Sequence, residues 1–459
     1  MSKLSVHIET FGCQMNVADS ERAATKLRAG GFDLSDSADS ADVILLNTCS
    51  VRERAEQKVF HRVGEIRKGR GGRQPLIGVM GCVAQLEGEA IFKTSNAVNL
   101  VIGTGATDRI PALLERVRGG ERRVVDLEER LENEAFEIST VERHSSHIAF
   151  VPIIEGCNKF CTYCIVPFSR GREKSRHADE VVREVQTLRR EGFGEVHLIG
   201  QNVNSFRPKS ERGLEGFPGA TPFSRLLRAV ASTGMPRVKF TTSFPRDFHE
   251  DIVKAIDEHE NLCNWVHLPV QAGNDRVLRA MRRGHKVADY LSKVASIRRA
   301  RRNIALTSDV IVGFPGETAE EFEDTLKLVR ECRFHGLYIF KYSQRRGTPA
   351  AKLGETVSEA EKTRRFLALE ELQMSVQGEI FREYVGREVE VLVEGFSARS
   401  RDDLTGHTTC NKVINFRGEA GLIGKVVRAR VTQAKTHSLY GEISGEFRQR
   451  VGGLHGDRG

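Results

Sequence analysis

Cys157, Cys161 and Cys164 stand in the run EGCNKFCTYCIVPFSRG as C-x3-C-x2-C, three of the chain's nine cysteines. Three thiolates are one short of the set that closes a structural zinc site and one more than a disulfide uses. A loop this compact can instead wrap three irons of a cubane and leave the fourth without a protein ligand. An open iron is a place to chelate a substrate. The competing reading is a zinc site completed at a distance by Cys263, Cys332 or His267.

A second set is dispersed in sequence but repeated in position. ETFGC, LLNTC and GVMGC each put a cysteine (Cys13, Cys49 or Cys82) directly after a predicted strand. The carboxyl ends of parallel strands share one edge of an open sheet, and ligands bind at that edge. Three thiolates could converge there on an iron–sulfur cluster, although each taken singly reads as a small core residue. Cys263, Cys332 and Cys410 lack any such pattern and are expected to be structural.

The elements that must carry these residues follow from periodicity. Over 4–118, apolar runs such as ADVILLNT and PLIGVMG alternate with amphipathic charged stretches, which predicts parallel strands with crossover helices. Residues 119–146 turn polar and acidic and read as a linker. The strand–helix rhythm resumes over 147–377 with six strand candidates, enough for an incomplete barrel with its functional groups at the carboxyl ends of the strands. Over 384–447 the runs are β-branched, lack helical segments between them and are broken by Gly, Asp and Asn, as in a small antiparallel barrel. The expected fold class is therefore α/β: an open parallel sheet domain, an incomplete (β/α)6 barrel and a small β-barrel.

At 459 residues the chain suits several domains, and no stretch is long and apolar enough for a membrane span. No signal-peptide pattern opens it, so a cytoplasmic protein is expected. Clustered cysteines in a reducing compartment favour metal ligation over disulfides. A net charge of +8 and a pI near 9.0 accord with a polyanionic partner, but only weakly.

C-x3-C-x2-C with Tyr163 before the last cysteine resembles the signature of radical S-adenosylmethionine (SAM) enzymes. FGCQMNVADSE, NTCSVRERAEQKVF, GQNVNSF, HLPVQAGNDRVLRAMRRG and SDVIVGFPGET extend the resemblance over nearly the whole chain, to the methylthiotransferase family. It implies a radical SAM core over 147–377, a methylthiotransferase domain over 4–118, and an OB-like TRAM RNA-binding barrel over 384–447. It also implies two 4Fe-4S clusters, one on Cys157, Cys161 and Cys164 and an auxiliary one on Cys13, Cys49 and Cys82. One S-adenosyl-L-methionine would donate a methyl group and a second would supply the radical. The product would be a methylthio group on carbon 2 of N6-isopentenyladenosine, beside the anticodon of a transfer RNA. Relatives modify threonylcarbamoyladenosine or a ribosomal-protein aspartate; a zinc-stabilised RNA-binding protein without catalysis is the alternative of another class.

Further roles follow from position at strand ends. Tyr163, Gly200, Gln201, Asn202, Ser243, Gln271 and Asp309 are the expected SAM-binding residues, and GFPGE is a turn near the adenine or simply a strand end. Arg170, Arg172, Arg282, Arg283, Arg345 and Arg346 are expected to neutralise phosphates of the anticodon stem-loop, with Arg387 and Lys412 doing so from the terminal barrel. Phe168 and Phe206 are expected to stack on splayed bases. A cytoplasmic electron donor and a monomeric state complete the expectation. His285 and Lys286 stand where the family usually has Tyr–Thr, and His407 where it usually has arginine.

Overall fold

The computed structural model describes residues 3–50, 53–69, 74–129 and 138–446. Part of the expected linker (130–137), two residues of the NTCSVRE motif and residue 447 lie outside them.

The N-terminal sheet is parallel throughout, in the order β2 (Asp33–Leu34), β1 (Ser5–Phe11), β3 (Val43–Thr48), β4 (Leu76–Gly81), β5 (Val98–Ile102), β6 (Val124–Asp126). Every residue of β3 is buried because helices cover both faces, which is why VILLNT reads as an unbroken run and not an alternation. Phe11 pairs with Thr48 and Thr48 with Gly81, so β1, β3 and β4 end at one level. Strand β6 lies in the segment expected to be linker: Val124 and Val125 extend the sheet by pairing with β5, and that short apolar run was hidden in a charged context.

Two arcs make the central domain: β7 (Ile148–Glu155), β8 (Lys174–Ser175), β9 (Glu195–Gly200) and β10 (Arg237–Phe240), then β11 (Trp265–His267), β12 (Ala305–Val312) and β13 (Gly336–Lys341). Parallel bridging of Val238 with Leu262 joins them into an open barrel. Strand β8 is a short antiparallel flap on the end of β7. The helix Glu359–Arg382 crosses the boundary expected at 377, because one face packs Leu369 into the barrel's helical layer while Val376, Ile380 and Phe381 enter the next core.

The third unit is a closed barrel, in the order β14 (Glu388–Phe396), β15 (Asp403–Thr408), β16 (Val413–Arg417), β18 (Leu439–Glu446), β17 (Val426–Ala434). Its pairs are antiparallel except β16 with β18. Strand directions cannot alternate around a closed ring of five, so one parallel pair is required. This barrel docks on the amino ends of the central strands. Arg237, first in β10, donates to the carbonyls of His407 and Thr408 at 3.1 and 3.2 Å, and Trp265 and Ala305, first in β11 and β12, share its apolar core.

The N-terminal domain meets the barrel through the helix Gln14–Ala29. Its Met15 and Ala18 pack on Phe150 and Ile199, residues of β7 and β9 that do not face the barrel's helices.

Candidate functional site

Cys13 caps the helix Gln14–Ala29, Cys49 follows β3, and Cys82 opens the helix Cys82–Glu87 after β4. A buried amide network holds these ends together. Asn16 donates to Asn47 Oδ1 (3.0 Å) and to the Thr48 carbonyl (3.1 Å); Asn47 donates back to the Asn16 carbonyl (2.8 Å). The Asn16 Oδ1 accepts from the Cys13 N–H at 3.2 Å and lies 3.3 Å from its Sγ. Gly81, at φ 92°, has no room for a Cβ, which would meet Asn47 Oδ1 at 2.4 Å and the Thr48 carbonyl at 2.8 Å. Neither Asn16 nor Asn47 is among the expected site residues; for Asn47 the available signal is the polar pair, Asn47 and Thr48, that closes the otherwise apolar strand VILLNT.

Cys13 opens to solvent while Cys49 and Cys82 are buried. The Cys13 thiol is lowered to about 6: hydrogen bonding with Cys49 is the largest influence, desolvation in the cleft opposes it, and the nearby Arg170 charge favours the thiolate.

The second triad lies in the loop after β7, at the carboxyl ends of the barrel strands. Gly156 N–H donates to Gln201 Oε1 (2.7 Å), and Thr162 binds Met281, Ala280 and Ala350 through backbone and hydroxyl at 2.8–3.1 Å. Burial raises the Cys157 thiol and pushes that of Cys164 up to about 12, so these two are neutral until an electropositive ligand claims them. Among the described residues no three side chains gather around the volume of a single metal ion. A cubane puts each thiolate on a different iron, so its ligands need no common coordination sphere.

The strand-end residues surround this loop. Gly200 lies so close to Ile154 that a Cβ would meet its Cγ2 at 2.3 Å and its carbonyl at 2.6 Å. Asn202 donates to Asp247 (3.2 Å), but its Oδ1 is buried without a partner, as is Ser243 Oγ. Gln271 holds φ 80° with its backbone bonded to Asp309 and Ile311, and Asp309 lies 3.4 Å from His267. Tyr163 packs against the apolar cluster containing Phe314 and Tyr342. The two orphaned oxygens suit a small polar cofactor. GFPGE is a turn in which Glu317 accepts from Gly313 N–H and from Arg365.

The cations expected on the RNA face divide. Arg172, Arg282, Arg346 and Arg387 are exposed, and Arg345 is half-buried. Arg170 is not a surface cation: its side chain is 5 % exposed and bridges Asp19 at 2.6 Å. Arg283, 4 % exposed, approaches Cys161 Sγ at 3.5 Å, donates to the Pro269 carbonyl at 2.6 Å and lies over the Phe244 ring. Lys412 is buried over Tyr384, 3.8 Å from Cys410 Sγ, and Phe206 is a core residue at 1 % exposure. In each case the tertiary contacts that bury the residue lie beyond reach of a sequence pattern. Phe168 is exposed.

The three units match three family models: Uncharacterized protein family UPF0004 over residues 5–103, the Radical SAM superfamily over 151–329 and the TRAM domain over 382–444. In fold the chain is similar to the radical S-adenosylmethionine methyltransferase TsrM from Kitasatospora setae, solved with cobalamin and a 4Fe-4S cluster (TM-score 0.55, 14% identity, 76% of this chain and 77% of that one). The class is thus a three-domain radical SAM protein.

The chain is 44% identical over 445 residues to the tRNA-2-methylthio-N(6)-dimethylallyladenosine synthase of Koribacter versatilis, covering 96% of this chain and 98% of that protein. It is 42% identical over 441 residues to the protein of the same description from Mannheimia succiniciproducens (95% and 92%). The chain belongs to the tRNA-2-methylthio-N(6)-dimethylallyladenosine synthase family of radical SAM methylthiotransferases. Among the described residues no helix is long and apolar enough to cross a membrane.

Proposed function

We propose that this chain adds a methylthio group to carbon 2 of the adenine in isopentenylated adenosine of transfer RNA, working with two 4Fe-4S clusters and S-adenosylmethionine in the cytoplasm. The observation that carries the reading is the short helix Val166–Arg170. It begins two residues after Cys164, packs against the helix opened by Cys82, and ends in the arginine that reaches the first triad. This helix, about 6 Å long from Val166 to Arg170, lies between the second triad and Arg170.

When bound, the clusters and S-adenosylmethionine would supply sulfur, a methyl group and, through one-electron reductive cleavage of S-adenosylmethionine, the carbon radical that takes hydrogen from carbon 2. The protein's part is to hold and exclude. Cys157, Cys161 and Cys164 ligate one cluster, and Cys13, Cys49 and Cys82 the other. Gly200 lets β9 approach the end of β7 closely, Gln201 pins the loop start, and Asn202 Oδ1 and Ser243 Oγ accept donors of the methionine moiety; Tyr163, Gln271 and Asp309 shape the rest of the pocket. Proximity is essential because a primary carbon radical reacts only with a near neighbour. Exposed Arg172, Arg282, Arg346 and Arg387 with half-buried Arg345 steer the anticodon stem-loop, and a one-electron donor docks on a monomer.

Anaerobic reconstitution with iron and sulfide counts, followed by mass spectrometry of nucleosides from isopentenylated transfer RNA, tests this. Two clusters' worth of iron and a methylthiolated product are expected. Replacing Cys13, Cys49 and Cys82 with alanine should abolish product and spare reductive SAM cleavage. A colourless zinc protein would overturn the proposal.

A further inference from the structure

The buried arginine at the end of the helix Val166–Arg170 is not needed to make a helix or a core. It comes from the central domain, yet its nearest partners belong to the N-terminal one. Arg170 Nη2 lies 2.6 Å from Asp19 Oδ2, with both side chains almost fully buried, and Cys13 and Cys82 lie within its electrostatic reach. Asp19 sits on the helix that Cys13 caps. One residue earlier, the Ser169 carbonyl accepts from Thr104 Oγ1 of the N-terminal domain at 2.8 Å. The other triad has an arginine of its own, Arg283, buried and 3.5 Å from Cys161 Sγ.

Each thiol set is therefore paired with one buried guanidinium that is remote in sequence. A thiolate-ligated cluster is anionic, and its reduction adds an electron. Its potential is set partly by local charge and by hydrogen bonds to its sulfurs. Burying an arginine is costly unless anions neutralise it; Asp19 at 2.6 Å is one such anion, and the thiolates of Cys13 and Cys82 are the others within its reach. The arrangement has the form of an outer-shell residue that tunes and orients a metal site.

We infer that Arg170 is a positioning residue for the Cys13–Cys49–Cys82 cluster, supplying the cation beside it and fixing that triad against the Cys157–Cys161–Cys164 loop. This rests on the two-cluster reading above. Arg170 touches neither substrate nor reacting atoms; it acts through the cluster and through Asp19.

The full-length chain carrying Cys157→Ala, Cys161→Ala and Cys164→Ala isolates the first triad. After anaerobic reconstitution, its iron content, its midpoint potential by spectroelectrochemical titration and the electron paramagnetic resonance spectrum of the reduced state are compared with and without changes at Arg170. Arg170→Met should shift the potential to more negative values, because a cation is lost. Arg170→Lys should return most of that shift. Asp19→Asn, which removes an anion and keeps the guanidinium, should shift the potential the opposite way and provides the test if Arg170→Met does not fold. In the otherwise unaltered enzyme, Arg170→Met should lower methylthiolation about 10–100-fold.

A cluster present at full occupancy whose potential is the same in parent, Arg170→Met and Asp19→Asn would overturn the inference and leave the two-cluster reading standing. A triple-alanine chain that takes up no cluster would overturn both.

Discussion

Arg170 Nη2 and Asp19 Oδ2 are 2.6 Å apart across the boundary between the radical SAM core and the N-terminal domain, and water reaches neither side chain to any extent. This pair ties the loop of one thiol set to the helix capped by the other. Removing one partner of a buried pair strands the other charge, at a cost of about 3–5 kcal/mol, whereas replacing both with apolar groups of similar volume is close to neutral. Asp19→Ala is therefore expected to lower stability by that amount in denaturant unfolding. The double variant Asp19→Leu/Arg170→Met should recover most of it.

Gly200 and Gln201 act on the start of the cluster loop from two directions. A Cβ at 200 would press on the Ile154 backbone, and Gln201 Oε1 is the acceptor for the Gly156 N–H at 2.7 Å. Gly200→Ala is expected to cost about 1–3 kcal/mol through overpacking. Gln201→Ala should cost about 1–3 kcal/mol, since it leaves a backbone donor unpaired. Both should reduce SAM cleavage in single-turnover assays more than they reduce transfer RNA binding in filter assays. Equal losses in the two assays would contradict a local role.

Alternation of apolar runs and amphipathic stretches made the two α/β units legible, and the repeated placement of Cys13, Cys49 and Cys82 after strands located one edge of the first sheet. The β-branched terminal runs gave a small barrel, but not its parallel β16–β18 closure, which follows from strand count in a ring. Arg170, Arg283 and Lys412 look like any basic residue near a strand end; only tertiary burial separates them from Arg282 and Arg346. Asp19 could not be singled out, because its partner lies 151 residues away. Docking of the terminal barrel on the amino ends of the strands, away from the cysteine loop, rests on Arg237 reaching two carbonyls that carry no residue-type information.

Exposed and buried cations should differ in how salt affects transfer RNA binding. Each phosphate contact contributes about 0.7–0.9 to the slope of log affinity against log salt. Arg282→Ala and Arg346→Ala, both at exposed positions, are each expected to weaken binding and flatten that slope by about one contact. Lys412→Met removes a cation buried over Tyr384 and should leave the slope unchanged while lowering the thermal midpoint. Affinity titrations across a salt series read both quantities.

His335 is expected to make the protein acid-sensitive at the joint between the two barrels. Its Nδ1 accepts the Leu306 N–H at 3.2 Å, and its pKa is lowered from 6.5 to about 2, chiefly by burial, with Lys412 and Arg298 adding like charge. The unfolded chain therefore binds this proton first, so the stability that neutral His335 permits is intact above pH 6.5 and declines as pH falls. Between pH 6.5 and 5.5 the loss amounts to about 1 kcal/mol from this group alone. His335→Asn keeps an acceptor for Leu306 and removes the titration, so its stability should be flatter with pH by that increment. Urea unfolding of parent and variant at the two pH values measures the difference. Parallel pH dependence in the two proteins would assign the acid sensitivity to other groups.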